Sequence, residues 1–437
     1  MEMDVSLNRL VRAAYAAVEG GSDLFTVDKK DMMTLVSGAC VLASGGGGSF
    51  QVACEIIDQG IGADDRVSVI SLDELAQHPD GWLATSANMG APDALFRTTN
   101  PHAPANAFRA MESELHMMRG AYPRFAHFPP QGFSWVLPIE VGAINSASPL
   151  TVAAQLSRER QGGLAVIDAD GAGRSIPTLS LTVFAANAIS AHPAVVASEG
   201  MHASASGGGM PGYNTGVIRV DNETAAEEAI IGLVMSAPFG GIAGMSMYPL
   251  TASGLLQRTP PVGGTLSLAL AIGRVLESCD GAERAAGVVS CIRNAGRASA
   301  VIWHGRVCEV VQAEGGVDVG RIVLDDAGGS GARLTIYNEN ENVFAIRSDQ
   351  DMPCVMGPDS ICYVTAGNVP LAIDNSDLNR LYQQAPDTRL ELFIVAVEAA
   401  VEMRNSVIIS NFSAVSCSLG YAGKYVPWSM TGAANLA

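Results

Sequence analysis

The chain has 437 residues, of which 48% are apolar and only 16% are charged. At roughly 150 residues per domain, this length predicts two or three domains with large cores and excludes a disordered protein. Acidic residues outnumber basic residues by 44 to 26, and the formal net charge is −18 at pH 7. Because such a charge repels phosphate backbones, we expect no nucleic acid partner.

The charged fraction is well below the roughly 25% usual in soluble proteins, which predicts surface buried between subunits and hence a homo-oligomer. The eight cysteines lack the close pairs that bind zinc or join small secreted folds, so we expect reduced thiols in the core. The N-terminus lacks the apolar core of a signal peptide, and no apolar stretch approaches the roughly 20 residues that span a bilayer. We therefore expect a cytoplasmic protein without membrane contact.

Short apolar runs alternate with amphipathic stretches over the first two thirds of the chain, as in an α/β sheet built from crossover units. The pattern predicts strands at residues 67–70, 81–87, 134–140 and 164–170, and helices at residues 106–120, 149–158, 224–237 and 264–278. From Ala298 the apolar residues alternate with a period of two between turns, which predicts strands. The predicted fold class is α/β, with an α/β domain over residues 1–297 and a β-rich domain over residues 298–437.

Four consecutive glycines follow an apolar run and precede a stretch with helical spacing. They are Gly45, Gly46, Gly47 and Gly48, flanked by Ser44 and Ser49. A chain tolerates the entropic cost of such a run where its backbone must approach a ligand or adopt positive φ, and its N–H groups can cradle a carboxylate. It is not a Walker loop, since no Gly-Lys-Ser/Thr follows, and the alternative interpretation is a flexible turn.

Asp168 and Asp170 stand at the end of a predicted strand, where open α/β sheets bind ligands. One carboxylate can act as a base while the other orients it, although ordinary Asx turns are an alternative, with Arg174 as a neutralising partner. Glu140 and Asn145 follow the preceding strand. Together the four residues supply a base, an amide donor and an acidic partner for attack on a C=O or C=N carbon.

Met89 and Gly90 end another predicted strand in a turn of small residues, which suits a pocket wall as well as simple punctuation. The seven histidines show no zinc-binding spacing, and three lysines leave little scope for Schiff-base chemistry. A divalent metal held by Asp168 and Asp170 is one alternative to metal-free chemistry, and the sequence leaves this choice open.

Several segments, in order along the chain, resemble the S-methyl thiohydantoin desulfurase-like family, which is associated with the hydantoinase and oxoprolinase group. They are ASGGGGSF, ANMGAP, VLPIEVGAINS, VIDADGAGRSIP, PVGGTLSLALAIGR, NENVFA followed by GPDSI, and the closing GYAGKYVPW. The resemblance runs from about Cys40 to Pro427. The glycine-rich segment from Ser198 to Gly216 departs from the family pattern.

The resemblance implies hydrolysis of a small five-membered heterocycle with a cyclic amide, thioamide or amidine. Examples are a hydantoin, an S-methyl thiohydantoin and 2-amino-thiazoline-4-carboxylate on a route to cysteine. It marks nine polar positions: Glu140, Asn145, Asp168, Asp170, Arg174, Asn340, Glu341, Asn342 and Asp359.

Our sequence-based hypothesis is a hydrolase in which Asp168 or Asp170, aided by Glu140 and Asn145, activates water for attack on a ring carbon. The expected substrate contacts are the glycine loop with its flanking serines, and Met89, Gly90, Arg174, Asn340, Glu341 and Asn342. This hypothesis requires the glycine loop and the paired aspartates to share one cavity. The alternative is a non-catalytic ligand-binding or partner subunit of a hydantoinase-type enzyme.

Overall fold

The computed structural model describes residues 24–90, 99–160, 162–200, 212–220, 222–258, 260–313, 319–387 and 389–430. The N-terminal residues 1–23 and most of the glycine-rich segment from Ser198 to Gly216, namely residues 201–211, lie outside this part of the chain.

The described residues of the first part of the chain form ten strands. They are β1 (Leu24–Val27), β2 (Val67–Ile70), β3 (Trp82–Gly90), β4 (Trp135–Pro138), β5 (Ala165–Ile167), β6 (Ala169–Asp170), β7 (Ala194–Ala197), β8 (Thr215–Ile218), β9 (Ile242–Thr251) and β10 (Val262–Gly263). Eight of them form one sheet in the order β1-β2-β5-β4-β3-β9-β7-β8, while β6 pairs with β10. The central strands β2, β5, β4 and β3 run parallel, which places their carboxyl ends at one edge.

Ten α-helices accompany these strands in the described residues. They are α1 (Lys29–Leu42), α2 (Phe50–Gly60), α3 (Leu72–Ala76), α4 (Ala103–Met118), α5 (Ala143–Ser157), α6 (Val183–Ala186), α7 (Glu223–Val234), α8 (Ala252–Arg258), α9 (Thr265–Ser278) and α10 (Gly281–Asn294). Helices α1 and α9 pack with their backbones in close contact, since a Cβ at Gly38 would overlap Ala269 and one at Gly273 would overlap Thr34.

The second part of the chain forms an antiparallel half-barrel sheet of seven strands. They are β11 (Ser299–Gln312), β12 (Val319–Asp326), β13 (Arg333–Glu339), β14 (Glu341–Arg347), β15 (Val355–Met356), β16 (Ser360–Thr365) and β17 (Glu391–Val397), and their order in the sheet is β15-β14-β13-β12-β11-β17-β16. Two further helices are α11 (Asn375–Gln384) and α12 (Ser406–Ser418). The predicted α/β fold class with a β-rich C-terminal part is confirmed.

Several predicted elements differ from the structure by a few residues at their ends, and two differ more, where the chain departs from a simple pattern. The helix predicted at residues 149–158 begins earlier, at Ala143, and continues through Pro149. The strand predicted at residues 164–170 is broken at Asp168, so β5 ends at Ile167 and β6 joins a different sheet.

One buried cluster connects the two parts of the molecule. Leu35 of α1 and Leu270 of α9 belong to the same core as Val364 and Val395 of the half-barrel sheet, so a helical layer packs against both sheets. All eight cysteines are free thiols, although Cys417 is exposed and Cys54 and Cys308 are half-buried where we expected core positions. In the described ranges no helix combines the length and apolarity needed to cross a bilayer. The cytoplasmic location and the homo-oligomeric state stay predictions.

Candidate functional site

A cleft of about 630 Å³ lies at the carboxyl ends of the parallel strands β3 and β4, the usual ligand position in open α/β sheets. The lining comes from many parts of the chain: the glycine loop with the start of α2, the ends of β3 and β4, the start of α5, residues 176–179, α7, Met245 of β9, the turn between β13 and β14, and the start of α11. The cleft is therefore built from both parts of the chain.

The glycine loop, residues 45–48, is shaped for close backbone contact. Gly45, Gly47 and Gly48 have φ values of 83°, 69° and 85°, which side chains with a Cβ rarely adopt. Gly46 has another reason to be glycine, because a Cβ there would overlap the carboxyl group of Glu341. The loop lines the cleft as expected, while binding of a ligand by its N–H groups stays a prediction.

Helix α2 begins directly after the glycine loop with its positive end at the cleft. The Ser49 hydroxyl donates to Asp377 Oδ1 at 3.1 Å instead of capping the helix. The first N–H groups of a helix lack partners within the helix. Because Ser49 and Val52 line the cleft, this end of α2 brings hydrogen-bond donors and a dipole that favours negative charge to the cleft.

Glu140 lies just beyond the end of β4 and is held in place by two hydrogen bonds. Its Oε1 accepts from Asn145 Nδ2 at 2.6 Å, and its Oε2 accepts from the Ile176 backbone N–H at 2.8 Å. Asn145, in the first turn of α5, also accepts from the Asn88 N–H at 3.2 Å. The amide of Asn145 therefore fixes Glu140 against the end of β3.

Glu341 enters the same cleft from the half-barrel sheet. Asn340 adopts a φ of 56° between β13 and β14, a left-handed conformation that Asn tolerates, and Glu339 and Glu341 face each other across this turn. Glu341 is only 5% exposed, and its Oε2 has no hydrogen-bond partner among the described residues. Buried acceptors without partners are rare and costly, so this oxygen is a candidate contact for a ligand.

Glu140 and Glu341 are near enough to each other to interact electrostatically. Burial raises the pKa of Glu140 well above its usual range, and the nearby charge of Glu341 raises it further. Burial also raises the pKa of Glu341 to about 7, although the Arg174 charge and the Gly47 N–H oppose that rise. A carboxyl group that stays protonated beside one that ionises near neutral pH can act with it as an acid and a base.

The structure does not bring Asp168 and Asp170 to this cleft, because the chain turns away from it after β5. Asp168 Oδ1 accepts from the N–H groups of Leu266 and Ser267 at 2.8 and 3.0 Å, in the first turn of α9. Asp170 Oδ1 accepts from the N–H groups of Ala172 and Gly173, both at 2.6 Å, which is an Asx turn. Neither residue lines the cleft.

Three expected substrate contacts lie behind the cleft wall rather than on it. Arg174 is fully buried and donates to the backbone carbonyls of Ser175, Asp359 and Asn342 at 2.9, 2.6 and 2.7 Å. The Asn342 N–H in turn donates to the Ser44 carbonyl at 2.7 Å. Arg174, Asn342 and Ser44 thus tie the glycine loop to the half-barrel sheet, whereas Met89, Gly90 and Asn340 do line the cleft.

Asp359, another family position, anchors the C-terminal segment. Its Oδ1 accepts from the Ala399 N–H at 2.8 Å and from the Tyr425 hydroxyl at 3.0 Å, and its Oδ2 accepts from the Trp428 N–H at 2.8 Å. Because both carboxylate oxygens accept hydrogen bonds from the protein itself, Asp359 has a structural role.

Sequence reasoning missed several acidic residues of the cleft. Six acidic side chains line the cleft: Glu140, Glu227, Glu228, Glu339, Glu341 and Asp374. No Lys, Arg or His of the described residues lines it. Glu227 and Glu228 lie within the helix predicted at residues 224–237, where an acidic pair is typical of a solvated face. No group of three or more His, Cys, Asp or Glu suited to a metal is found within the described ranges.

Two protein-family models match most of the chain. Residues 30–205 match the family model described as S-Me-THD-like, N-terminal domain, and residues 220–406 match S-Me-THD-like, C-terminal domain. A crystal structure of a protein from Chromobacterium violaceum is 27% identical and matches with a TM-score of 0.73, over 92% of this chain and 99% of that chain. No curated protein matches the chain significantly. The predicted division at residues 297 and 298 stays a prediction.

Proposed function

Because this chain belongs to the S-Me-THD-like family, we propose that it is a hydrolase which opens or desulfurises a small five-membered heterocycle. The substrate class is a cyclic amide, thioamide or amidine. The observation that carries the proposal is the buried pair of Glu140 and Glu341 in one cleft beside the glycine loop. This pair replaces Asp168 and Asp170, whose Oδ1 atoms serve the backbone, as the favoured acid and base.

Glu341 is the base in this mechanism, since its unpartnered Oε2 is free to accept a proton from water. The water oxygen bonds to the ring carbon between the two heteroatoms, and the bond from that carbon to ring nitrogen or sulfur breaks. Glu140 donates a proton to the departing heteroatom. The proton that Glu341 took from water then passes to Glu140, so both groups return to their starting states. Acid and base assistance of this kind contributes typically about 10²–10⁴-fold in rate.

The surroundings of the pair suit a small planar ring. Ile139, Ile144 and Ile176 provide apolar walls, which exclude water and strengthen the electrostatic contacts inside. The positive end of α2, which follows the glycine loop, would stabilise negative charge that develops on the substrate. Asn145 is a positioning residue, because its amide holds Glu140.

Substitution of the pair tests the proposal directly. We expect Glu341→Gln and Glu140→Gln each to lower kcat/KM by about 10²–10⁴-fold, because each removes a proton-transfer group. Ring opening is measured on a panel of hydantoins, thiohydantoins and thiazolines, with folding checked by circular dichroism. The matched control is Glu283→Gln, which removes one exposed carboxylate outside the cleft. Unchanged activity in both variants of the pair would exclude the mechanism.

The pH profile of the wild-type protein provides a second readout of the same pair. Because the pKa of Glu341 is raised to about 7, its base form accumulates as the pH rises through that value, and kcat/KM increases with it. At higher pH, kcat/KM falls when the acid partner loses its proton. Glu341→Gln is expected to remove the rising limb.

Two further measurements separate the alternatives that the sequence left open. Turnover by the purified protein alone would eliminate the non-catalytic partner subunit, whereas ligand binding without turnover by any panel member would favour it. Activity before and after chelation tests whether a divalent metal takes part.

A further inference from the structure

We propose that this cleft selects a positively charged substrate of the amidinium class, and that Glu227, Glu228 and Glu339 determine this specificity. The inference rests on the proposed hydrolase function and narrows its substrate class from cyclic amides, thioamides and amidines to cationic amidines.

The first support is the charge of the cleft. Six carboxyl groups line it, and no basic side chain of the described residues does. The ionised members of this set attract a cation and repel an anion, and a bound cation favours ionisation of the other carboxyl groups.

A second, independent observation points to a ligand in the same place. Glu341 is only 5% exposed, and its Oε2 has no hydrogen-bond partner in the described part of the chain. A carboxylate oxygen accepts hydrogen bonds only, so a ligand that donates N–H groups would satisfy it.

The outer acids are crowded as well. Burial, together with the charges of Glu228 and Glu339, raises the pKa of Glu227 to about 7. Its two oxygens reach only long contacts with the Leu179 N–H, at 3.3 and 3.4 Å. A bound cation relieves this mutual repulsion, because an opposite charge favours the ionised form of each carboxyl group.

The shape of the site favours an organic cation over a metal ion. No metal-binding group of three or more His, Cys, Asp or Glu occurs in the described residues, and apolar side chains such as Ile231, Met235 and Leu179 line the cleft beside Glu227. An amidinium is planar and carries parallel N–H donors, the geometry that carboxylates bind in paired hydrogen bonds. Its ring can lie against the apolar walls while its N–H groups meet the acids.

The test compares uncharged rings with cationic partners of the same size: 2-imidazolidinone with 2-amino-2-imidazoline, and 2-thiazolidinone with 2-amino-2-thiazoline. These probes carry no carboxylate, so none of them gains from the positive end of α2, which works against the cationic member of each pair. We expect kcat/KM to favour the cationic member by at least about 10-fold in the wild-type protein. Glu227→Gln/Glu228→Gln is expected to reduce that preference by about 10-fold, and Glu339→Gln by about 3-fold.

The matched control is Glu55→Gln/Glu283→Gln, which removes two exposed carboxylates that do not line the cleft and is expected to keep the preference. Turnover with equal or greater preference for the uncharged rings would overturn the inference and leave the hydrolase proposal standing. If none of the rings is turned over, the hydrolase proposal fails on these substrates, and calorimetric binding of the same four compounds decides the inference. Tighter binding of the cationic members would support it, and equal or weaker binding would overturn it.

Discussion

A single missing side chain decides how closely Glu341 approaches the glycine loop. Gly46 is the one residue of residues 45–48 without a positive φ, so its identity is explained by space and not by backbone conformation. A Cβ at this position would overlap the carboxyl group of Glu341. The run of four glycines therefore has two physical causes, left-handed backbone at three positions and close packing at the fourth.

Gly46→Ala tests this close packing. We expect the variant to displace the Glu341 carboxylate, to cost about 1–3 kcal/mol of unfolding free energy through overpacking, and to lower kcat/KM. The control is Gly232→Ala in α7, where a Cβ would meet nothing within 4 Å and alanine is expected to stabilise the helix by about 0.5–1 kcal/mol. Wild-type activity and stability in Gly46→Ala would show that Glu341 does not depend on this contact. Urea denaturation measures both variants.

At the scale of secondary structure, the position where β5 ends determines where the side chains of Asp168 and Asp170 lie. The strand stops at Ile167, and Asp168 reaches the first turn of α9, whose own N-cap residue is Gly264 and provides no side-chain hydrogen bond. Asp168 supplies the missing acceptor from a distant part of the chain. Carboxylates favour this position because of the unpaired N–H groups and the helix dipole.

Asp168→Ala is therefore expected to lower the unfolding free energy by about 1–3 kcal/mol, since it leaves buried N–H groups of Leu266 and Ser267 without an acceptor. Asp168→Asn keeps an acceptor oxygen, so its loss is expected to be smaller. Neither change alters kcat/KM of the folded protein in our proposal. Loss of ring opening by well-folded Asp168→Asn would instead return Asp168 to the chemistry.

At the scale of the whole molecule, the cleft exists only while the glycine loop and the half-barrel sheet stay together. Arg174 holds them by donating to carbonyls of Ser175, Asn342 and Asp359, and its guanidinium lies over the Phe412 ring. Burial lowers the pKa of Arg174 to about 10, yet three charge-assisted hydrogen bonds satisfy the group.

Arg174→Met is expected to cost about 3–5 kcal/mol of unfolding free energy, because it orphans several buried carbonyls at once. The comparison variant is Arg306→Met, which removes a surface ion pair with Glu391 and is expected to cost less than about 1 kcal/mol. Equal losses in the two variants by urea denaturation would contradict a connecting role for Arg174. Because Arg174 also lowers the pKa of Glu341, the variant is expected to shift the rising limb of the pH profile upward.

Local patterns in the sequence were sufficient for much of the framework. The strand predicted at residues 67–70 has those bounds in the structure, and the helix predicted at residues 264–278 begins one residue later. Apolar periodicity is a local property, and buried faces repeat along a helix or strand whatever its partners are. The same reasoning selected Glu140, Asn145 and the glycine loop, since strand ends and glycine runs are visible in the chain itself.

Only the tertiary structure decided which carboxylates meet. Glu140 and Asp168 both follow strands, but the backbone beyond β4 leads into the cleft and the backbone beyond β5 leads to the end of α9. The acids Glu227 and Glu339 reach the cleft from a helix and a turn far away in the chain. Strand order, burial and long-range packing determine which of these side chains lie close together, and the local spacing of residues does not encode it. The sequence by itself determined the elements and the shape of the loop, and the fold determined the charge of the site.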